Sequence, residues 1–507
     1  MSLRSLVPVA LGACVLAACD AGEQPTGAST TLDAKLAPPV GFVTSQPAQA
    51  RALSPGATLK PIISVGDPIP GQQAQSNPEL RVYAPYPDGL GAYQDGGDLV
   101  VFTAHENARG GSGSADGTSR FRYARISRLV LDPASLSVKG GSYPVHPGMG
   151  GPFAQLERFC SATFAGPAEN FAPGWFFTGE EQRNSTSTTV AVSQDGSQAK
   201  VLPWLGRYAH ENTISVPGFD GGKVVMIGLD DAGWQSELYM YVGNSAADVL
   251  GGSGKLYVFK ATSTGAPAGS ALMSVGQGIT GDFVEVANPE QSWDALNASV
   301  LALGAFPFVR LEDGDYDKRA GVPGQKPAIY FVDTGRESAP SSPNPNYDLG
   351  LCGGSCDRYG SIFRMDFDPA NPTVGARLTL LAKSAGAESG WASPDNIATS
   401  RQSLMLQEDP AYPGFRRAPR IWQLNILGNA GLGSAKAVVE VENAACDDGS
   451  SDPAATCWES SGIIDASEWL GAGTWLFDVQ AHGAPFSYAG TQVFEAGQLL
   501  YLRQPGS

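Results

Sequence analysis

Residues 326–335 read KPAIYFVDTG, and residues 359–369 read YGSIFRMDFDP. In each, a Pro or Gly introduces a short run of β-branched, aliphatic and aromatic residues, and an acidic turn closes it. That is the signature of a strand bounded by turns. The theme returns in GSGKLYVFKA at 252–261 and APRIWQLNI at 418–426. Working outward, further strands are expected at 99–103, 223–229, 238–242, 378–382, 403–407, 475–479 and 498–503. A period of 3.6 shows only over a short piece, Asp465 to Leu470. No strict repeat of fixed length emerges. The pattern suits four-stranded blades around an axis: an all-β, irregular β-propeller, with a β-sandwich as the other architecture such strands could build. Long insertions are expected near 107–120, 313–357 and 442–460, capping one face of the scaffold.

Composition agrees. Glycine supplies 63 and proline 37 of the 507 residues, about a fifth of the chain against ~12% on average. Hydrophobic residues make up 42%, which excludes wholesale disorder. The net charge of −17 argues against nucleic acid as a partner, because a phosphate backbone calls for Lys and Arg patches. An acidic chain suits cations instead.

The N-terminus reads as an export signal. Arg4 precedes an apolar run from Leu6 to Ala18, too short to span a bilayer. The run ends in Leu16-Ala17-Ala18-Cys19, the pattern of a bacterial lipobox. Residues 1–18 would then be the signal peptide, and Cys19 the lipid-modified first residue of the mature chain. An ordinary signal peptide is the plainer alternative. The expected location is the bacterial cell envelope, at the periplasmic side or the cell surface, with a lipid anchor in the membrane. Residues 19–58, rich in Ala, Pro, Gly, Thr and Gln, read as a flexible tether. Residues 59–507 form the domain. Nothing indicates the oligomeric state.

In an oxidising compartment, Cys352 with Cys356 and Cys446 with Cys457 read as two local disulfides. Cys160 is left over. It is either a buried, inert thiol or a functional one.

Familiar chemistry is missing. There is no G-x-S-x-G elbow and no H-E-x-x-H, and Gly254-Lys255 runs into Leu256 rather than completing a P-loop. With four His in the chain, a His-dominated zinc site is not expected. Short acidic motifs sit at strand ends instead: His105-Glu106, Gly179-Glu180-Glu181, His210-Glu211-Asn212, Asp230-Asp231, Arg310-Leu311-Glu312, Pro394-Asp395-Asn396 and Glu408-Asp409. Each alone is an ordinary surface motif, and Arg310 with Glu312 alone would be a surface ion pair. A propeller would gather them at one central pocket, where buried carboxylates need cations to stay ionised. Oxygen donors suit Ca²⁺, and a thiolate adds a transition-metal ligand.

The order of these motifs from about Asp88 to Leu502 resembles the PhoX-type alkaline phosphatases. Arg158-Phe159-Cys160-Ser161, Leu205 to Glu211, Phe308 to Glu312, Leu406 to Asp409, and Leu476 to Gln480 with His482 carry the likeness. The resemblance implies a central pocket with a pair of Fe³⁺ ions bridged by oxide and three Ca²⁺ ions, hydrolysing small-molecule phosphoesters. It implies Cys160 as the iron-binding thiolate and Glu181, Glu211 and Glu312 as metal-binding carboxylates, with Glu180 an alternative to Glu181. Asp395, Asp409 and Glu106 would serve the calcium ions or their surroundings. Arg310 would contact the substrate phosphate, and activity would depend on it together with Cys160 and Glu211. Two departures stand out. The signal lacks a twin Arg, and Asp313 stands where the family has Gly, which would add a carboxylate beside the pocket. A calcium-binding adhesion or scaffold propeller without catalysis, and a lactonase-like propeller, are the other functions such a chain could have.

Overall fold

In the computed structural model, the described residues are 41–505, except 233–235, 321, 323, 337–356, 411–414, 416, 430 and 444–456. Among them six antiparallel blades close into a β-propeller. The inner strands of blades 1 to 6 are Pro87–Asp95, Phe159–Ala165, His210–Val216, Leu311–Tyr316, Pro394–Thr399 and Glu459–Asp465. Each inner strand packs beside those of the two adjacent blades, and blade 6 packs beside blade 1, so the ring is complete. The second strands, Asp98–His105, Trp175–Glu180, Val224–Asp230, Ala328–Asp333, Ser403–Glu408 and Thr474–Tyr488, run back to the end where the inner strands begin.

Two devices hold the ring. Blades 3 and 4 merge into one nine-stranded sheet, because Gly278–Glu285 pairs with Lys255–Ala261 on one side and Ala376–Lys383 on the other. The N-terminal segment supplies the outermost strand of both last blades. Ala50–Ala52 pairs with Lys436–Val441, and Thr58–Ser64 pairs with Thr491–Arg503. The expected tether is therefore corrected from residue 41 onward: Phe42 already bridges Val138, and residues 50–64 are built into the sheets. Their backbone groups, left bare on a tether, are satisfied by the ladders. Residues 1–40, including the lipobox and Cys19, lie outside the described residues. No helix of the described chain is long and apolar enough to cross a membrane.

The core lies between blades. Phe306, Phe308, Phe331 and Phe363 stack edge to face and in parallel between blades 3 and 4. Each such side chain, fully buried, contributes about 1.5–3 kcal/mol. Among the described residues three α-helices decorate the sheets. Ser467–Leu470 falls within the expected helical piece; Ala246–Gly251 and Trp293–Leu303 were not anticipated. The last buries Leu296 and Val300, four residues apart on one face, and stops at Gly304 with φ 82°.

The chain direction explains the insertions. The chain leaves the strands after His105, Asp333 and Val441 at the end where the inner strands start. The expected loop at 313–357 is corrected in its first part, which contains most of Leu311–Tyr316 and all of Ala328–Asp333. The loop at 107–120 carries a small hairpin, Ser112–Gly113 with Ser119–Arg120. Cys457 is disulfide-bonded. Cys352, Cys356 and Cys446 lie outside the described residues.

Candidate metal centre

The same irregularity occurs at the start of the inner strand in five blades. In blade 1, Pro87 faces His105 and Leu90 faces Thr103, so Asp88 and Gly89 together oppose one residue. Blades 2 to 5 repeat the bulge at Cys160-Ser161, Glu211-Asn212, Glu312-Asp313 and Asp395-Asn396. In blade 6 the extra residue is Gly462. A bulge bends the strand and re-aims a side chain. Here it brings the first residue of each pair, Asp88, Cys160, Glu211, Glu312 or Asp395, to the mouth of the axis.

Each hairpin then extends by one more hydrogen bond. The amides of Glu106, Glu181, Asp231, Thr334 and Asp409 donate to the carbonyls of Tyr86, Arg158, Ala209, Arg310 and Ser393 at 2.9–3.1 Å. This sets a second tier of side chains around the first. Four of the accepting residues are left-handed without being glycine: Tyr86, Arg158, Arg310 and Ser393 have φ between 48° and 54°. Such backbone costs on the order of 1–2 kcal/mol per residue and persists where the surroundings impose it.

The donors converge. Asp88, Glu106 and Cys160 form one triad, Cys160, Glu181 and Glu211 a second, and Glu211, Glu312 and Asp395 a third, with one donor atom from each residue within 4.8 Å of the others in its triad. Cys160 and Glu211 are shared, so three cation positions would lie side by side. Cys160 is the free cysteine of the described chain, is buried, and its Sγ lies 3.2 Å from Glu181 Oε2. The two neighbouring glutamates are placed differently. Glu180 turns away and accepts the Glu157 amide at 2.9 Å, while Glu181 joins the thiol. Asp409 is in no triad, but its charge acts on Glu312 and Asp395. The expected metal and phosphate residues Glu106, Cys160, Glu181, Glu211, Arg310, Glu312, Asp395 and Asp409 thus stand at one end of the axis.

Without cations the arrangement is electrostatically frustrated. Burial, reinforced by neighbouring carboxylates, pushes Asp88, Glu211, Glu312 and Asp395 well above the usual carboxylate range. Glu181 is pushed up to about 7, by burial first, with Asp231 and Glu106 adding to it against Arg158. The Cys160 thiol is raised by burial and then by Glu106 and Glu211. Asp88 Oδ1, Asn396 Oδ1 and both polar atoms of Asn107 are buried without a hydrogen-bond partner among the described residues. A set of carboxylates and one thiol that share a site, with orphaned oxygens among and beside them, fits hard cations plus a thiophilic one.

Supporting groups fix the donors. Ser161 Oγ donates to Glu211 Oε1 at 2.7 Å, and Asn396 Nδ2 donates to Ser161 Oγ at 2.8 Å. Arg310 Nε and Nη2 both donate at 3.3 Å to the two oxygens of Asp231, and Nη2 lies 2.9 Å from Glu312. His482 sits between Glu495, at 2.9 Å, and Glu459, at 3.6 Å. Burial opposes its charge, but hydrogen bonds to both glutamates raise its pKa well above the usual value.

One expectation is corrected. Asp313 does not add a carboxylate to the pocket. It points down the axis, where it accepts from the Asn212 side chain and from the amides of Gly314 (2.6 Å) and Ile397 (3.1 Å). Asp88 was missed as a donor. Its signal was available: Pro87-Asp88-Gly89 opens blade 1 as Pro394-Asp395-Asn396 opens blade 5. Asp231 and Arg158 stood in quoted motifs without a role.

No protein-family model and no curated protein matches this sequence. Solved structures overlap it loosely. A GH130 enzyme from a study of hydrolases targeting β-1,2-mannosidic linkages in Candida mannan is 11% identical, over 79% of this chain and 96% of that one, with a TM-score of 0.33. The neuraminidase-like N11 protein of an influenza virus from a flat-faced bat in Peru is 7% identical over 83% and 89%, with a TM-score of 0.35. A chain of the nidogen/laminin complex is 9% identical over 76% and 99%, with a TM-score of 0.33. None of these likenesses is an argument for what this chain does.

Proposed function

We propose that this protein is an exported, metal-dependent hydrolase of phosphomonoesters, held at the bacterial envelope through Cys19. The observation that carries the reading is the row of three overlapping donor triads joined by Cys160 and Glu211. Cys160 with Glu181 and Glu211 would hold iron, and the oxygen donors Asp88, Glu106, Glu312 and Asp395 would hold calcium, alone or shared. Such cations supply Lewis-acid polarisation of a phosphoryl oxygen and an activated attacking oxygen.

The chain's own residues do the rest. Arg310, a quarter exposed at the pocket mouth, presents a guanidinium fork to the phosphate, and Asp231 sets its plane. Ser161 and Asn396 hold Glu211 in one orientation. A transferring phosphoryl group spreads charge over its oxygens, so fixed positive charge lowers the barrier directly.

The test is hydrolysis of a chromogenic phosphomonoester by the full chain supplied with iron and calcium, then stripped by a chelator. Turnover that chelation abolishes and calcium restores is expected. A protein that binds calcium but leaves the ester intact would instead be a binding propeller, and lactone hydrolysis without ester hydrolysis would make it lactonase-like. Either result would overturn the proposal.

A further inference from the structure

We infer that Arg158 is a second phosphate-contacting residue, the counterpart of Arg310 across blade 3, and that the pair selects a terminal phosphate over a diester. This rests on the hydrolase reading above. Three observations carry it. First, the two arginines occupy equivalent places. Each immediately precedes an inner strand, each is left-handed (φ 50° and 53°), and each accepts the hairpin-extending hydrogen bond at its carbonyl. Each stands two residues before a donor, Cys160 or Glu312. Second, both lean on the carboxylates of the pocket. Arg158 Nη2 pairs with Glu181 and lies 2.9 Å from Glu106, while Arg310 pairs with Asp231 and Glu312. Asp231 of blade 3 acts on both guanidiniums. Third, Arg158 has donors to spare. Its Nη2 serves both glutamates, its Nε is buried without a hydrogen-bond partner, and the side chain is 40% exposed. An unpartnered buried guanidinium nitrogen beside open solvent is a place for an anion.

The substrate class follows from geometry. Two guanidiniums that flank Asp231 from blades 2 and 4 would engage two edges of one phosphate. A monoester offers three non-bridging oxygens for this; a diester offers two and carries a second substituent where one fork would lie.

The experiment is calorimetric titration of inorganic phosphate into the metal-loaded full chain, with metal content measured in every sample. The variants are Arg158→Gln, Arg158→Lys and Arg310→Gln. Phosphate affinity should fall about tenfold or more in Arg158→Gln and in Arg310→Gln, and less in Arg158→Lys, with metal content unchanged. Hydrolysis of a chromogenic monoester should suffer more from Arg158→Gln than hydrolysis of the matching diester. Wild-type-like phosphate affinity in Arg158→Gln beside a loss in Arg310→Gln would overturn the inference. If Arg158→Gln loses its metal, Arg158→Lys decides: weakened phosphate binding with metal retained supports the inference, and full affinity or lost metal overturns it. A wild-type protein that binds no phosphate would instead overturn the hydrolase reading itself.

Discussion

The two ends of the propeller axis differ in how their polar groups are treated. The end away from the inner-strand starts holds a cavity of about 1360 Å³ lined by Glu169, Asp313, Asp315, Lys318, Trp469 and others. Its carboxylates are provided for. Asp315 accepts from the Thr399 amide at 2.9 Å and from Lys318 at 2.8 Å, and Glu169 accepts from the Gly166 amide at 2.8 Å. At the other end, carboxylates and a thiol crowd together on bulged, left-handed backbone with oxygens left unpaired. Strain and unmet polar groups mark the end that carries the candidate site.

The comparison breaks most sharply by mutation. Glu211→Ala, which removes a donor shared by two triads, should reduce phosphomonoester hydrolysis roughly a thousandfold or more, beyond the 10–100-fold typical of losing a supporting residue. The backbone at the reactive end should be nearly as intolerant. A Cβ on Gly89 would lie 2.4 Å from the Ala162 amide nitrogen and 2.5 Å from the Cys160 carbonyl. Gly89→Ala should therefore cost about 3 kcal/mol or more of stability, read as a fall in melting temperature, because backbone must move to make room.

The pH response separates loaded from stripped protein. Folding raises the pKa of Glu181 to about 7, of Glu180 to about 8 and of Asp230 to about 8, above their unfolded values, mainly through burial. A raised carboxylate favours the folded state at low pH, and that contribution is lost as pH climbs through the folded value. The chelated protein should melt progressively lower between pH 5 and 8. The loaded protein should not follow it over the same window, since bound cations replace the protons. Parallel curves for the two forms would contradict the assignment. The smallest effect belongs to the far end: Glu468→Gln, exposed at the rim of the large cavity, should leave hydrolysis within about twofold.

Much of the fold was legible in the sequence, but not evenly. The expected strands at 99–103, 328–333 and 403–407 are second strands, and those at 238–242 and 361–367 are third strands, nearly all buried on both faces, while the third strand at 420–426 mixes buried with half-buried or exposed residues. No inner strand was read. PDGLGAYQD, FCSATFA, HENTISV, LEDGDY and PDNIAT are mostly small or polar residues, two of them carry glycine, and each is broken by a bulge just where alternation would have shown. The residues that line the axis and hold the donors lack the hydrophobic signal by which strands are recognised. The site was legible for a related reason. Acidic motifs lie at the ends of the second strands expected at 99–103 and 403–407, which gave Glu106 and Asp409 a place, and the lone Cys160 stood out by counting. Asp88 had a sequence signal in the Pro-Asp pair that opens blade 5 as well, whereas the pairing of Arg158 with Arg310 depends on the repeat of the bulge from blade to blade. That repeat is one of backbone geometry rather than of sequence.

The most direct test is elemental analysis of iron and calcium in the full chain and in Cys160→Ala, purified alike. The account predicts both metals in the wild type, and in the variant a loss of iron with calcium retained. A wild type without either metal, or a variant with its iron undiminished, would contradict it.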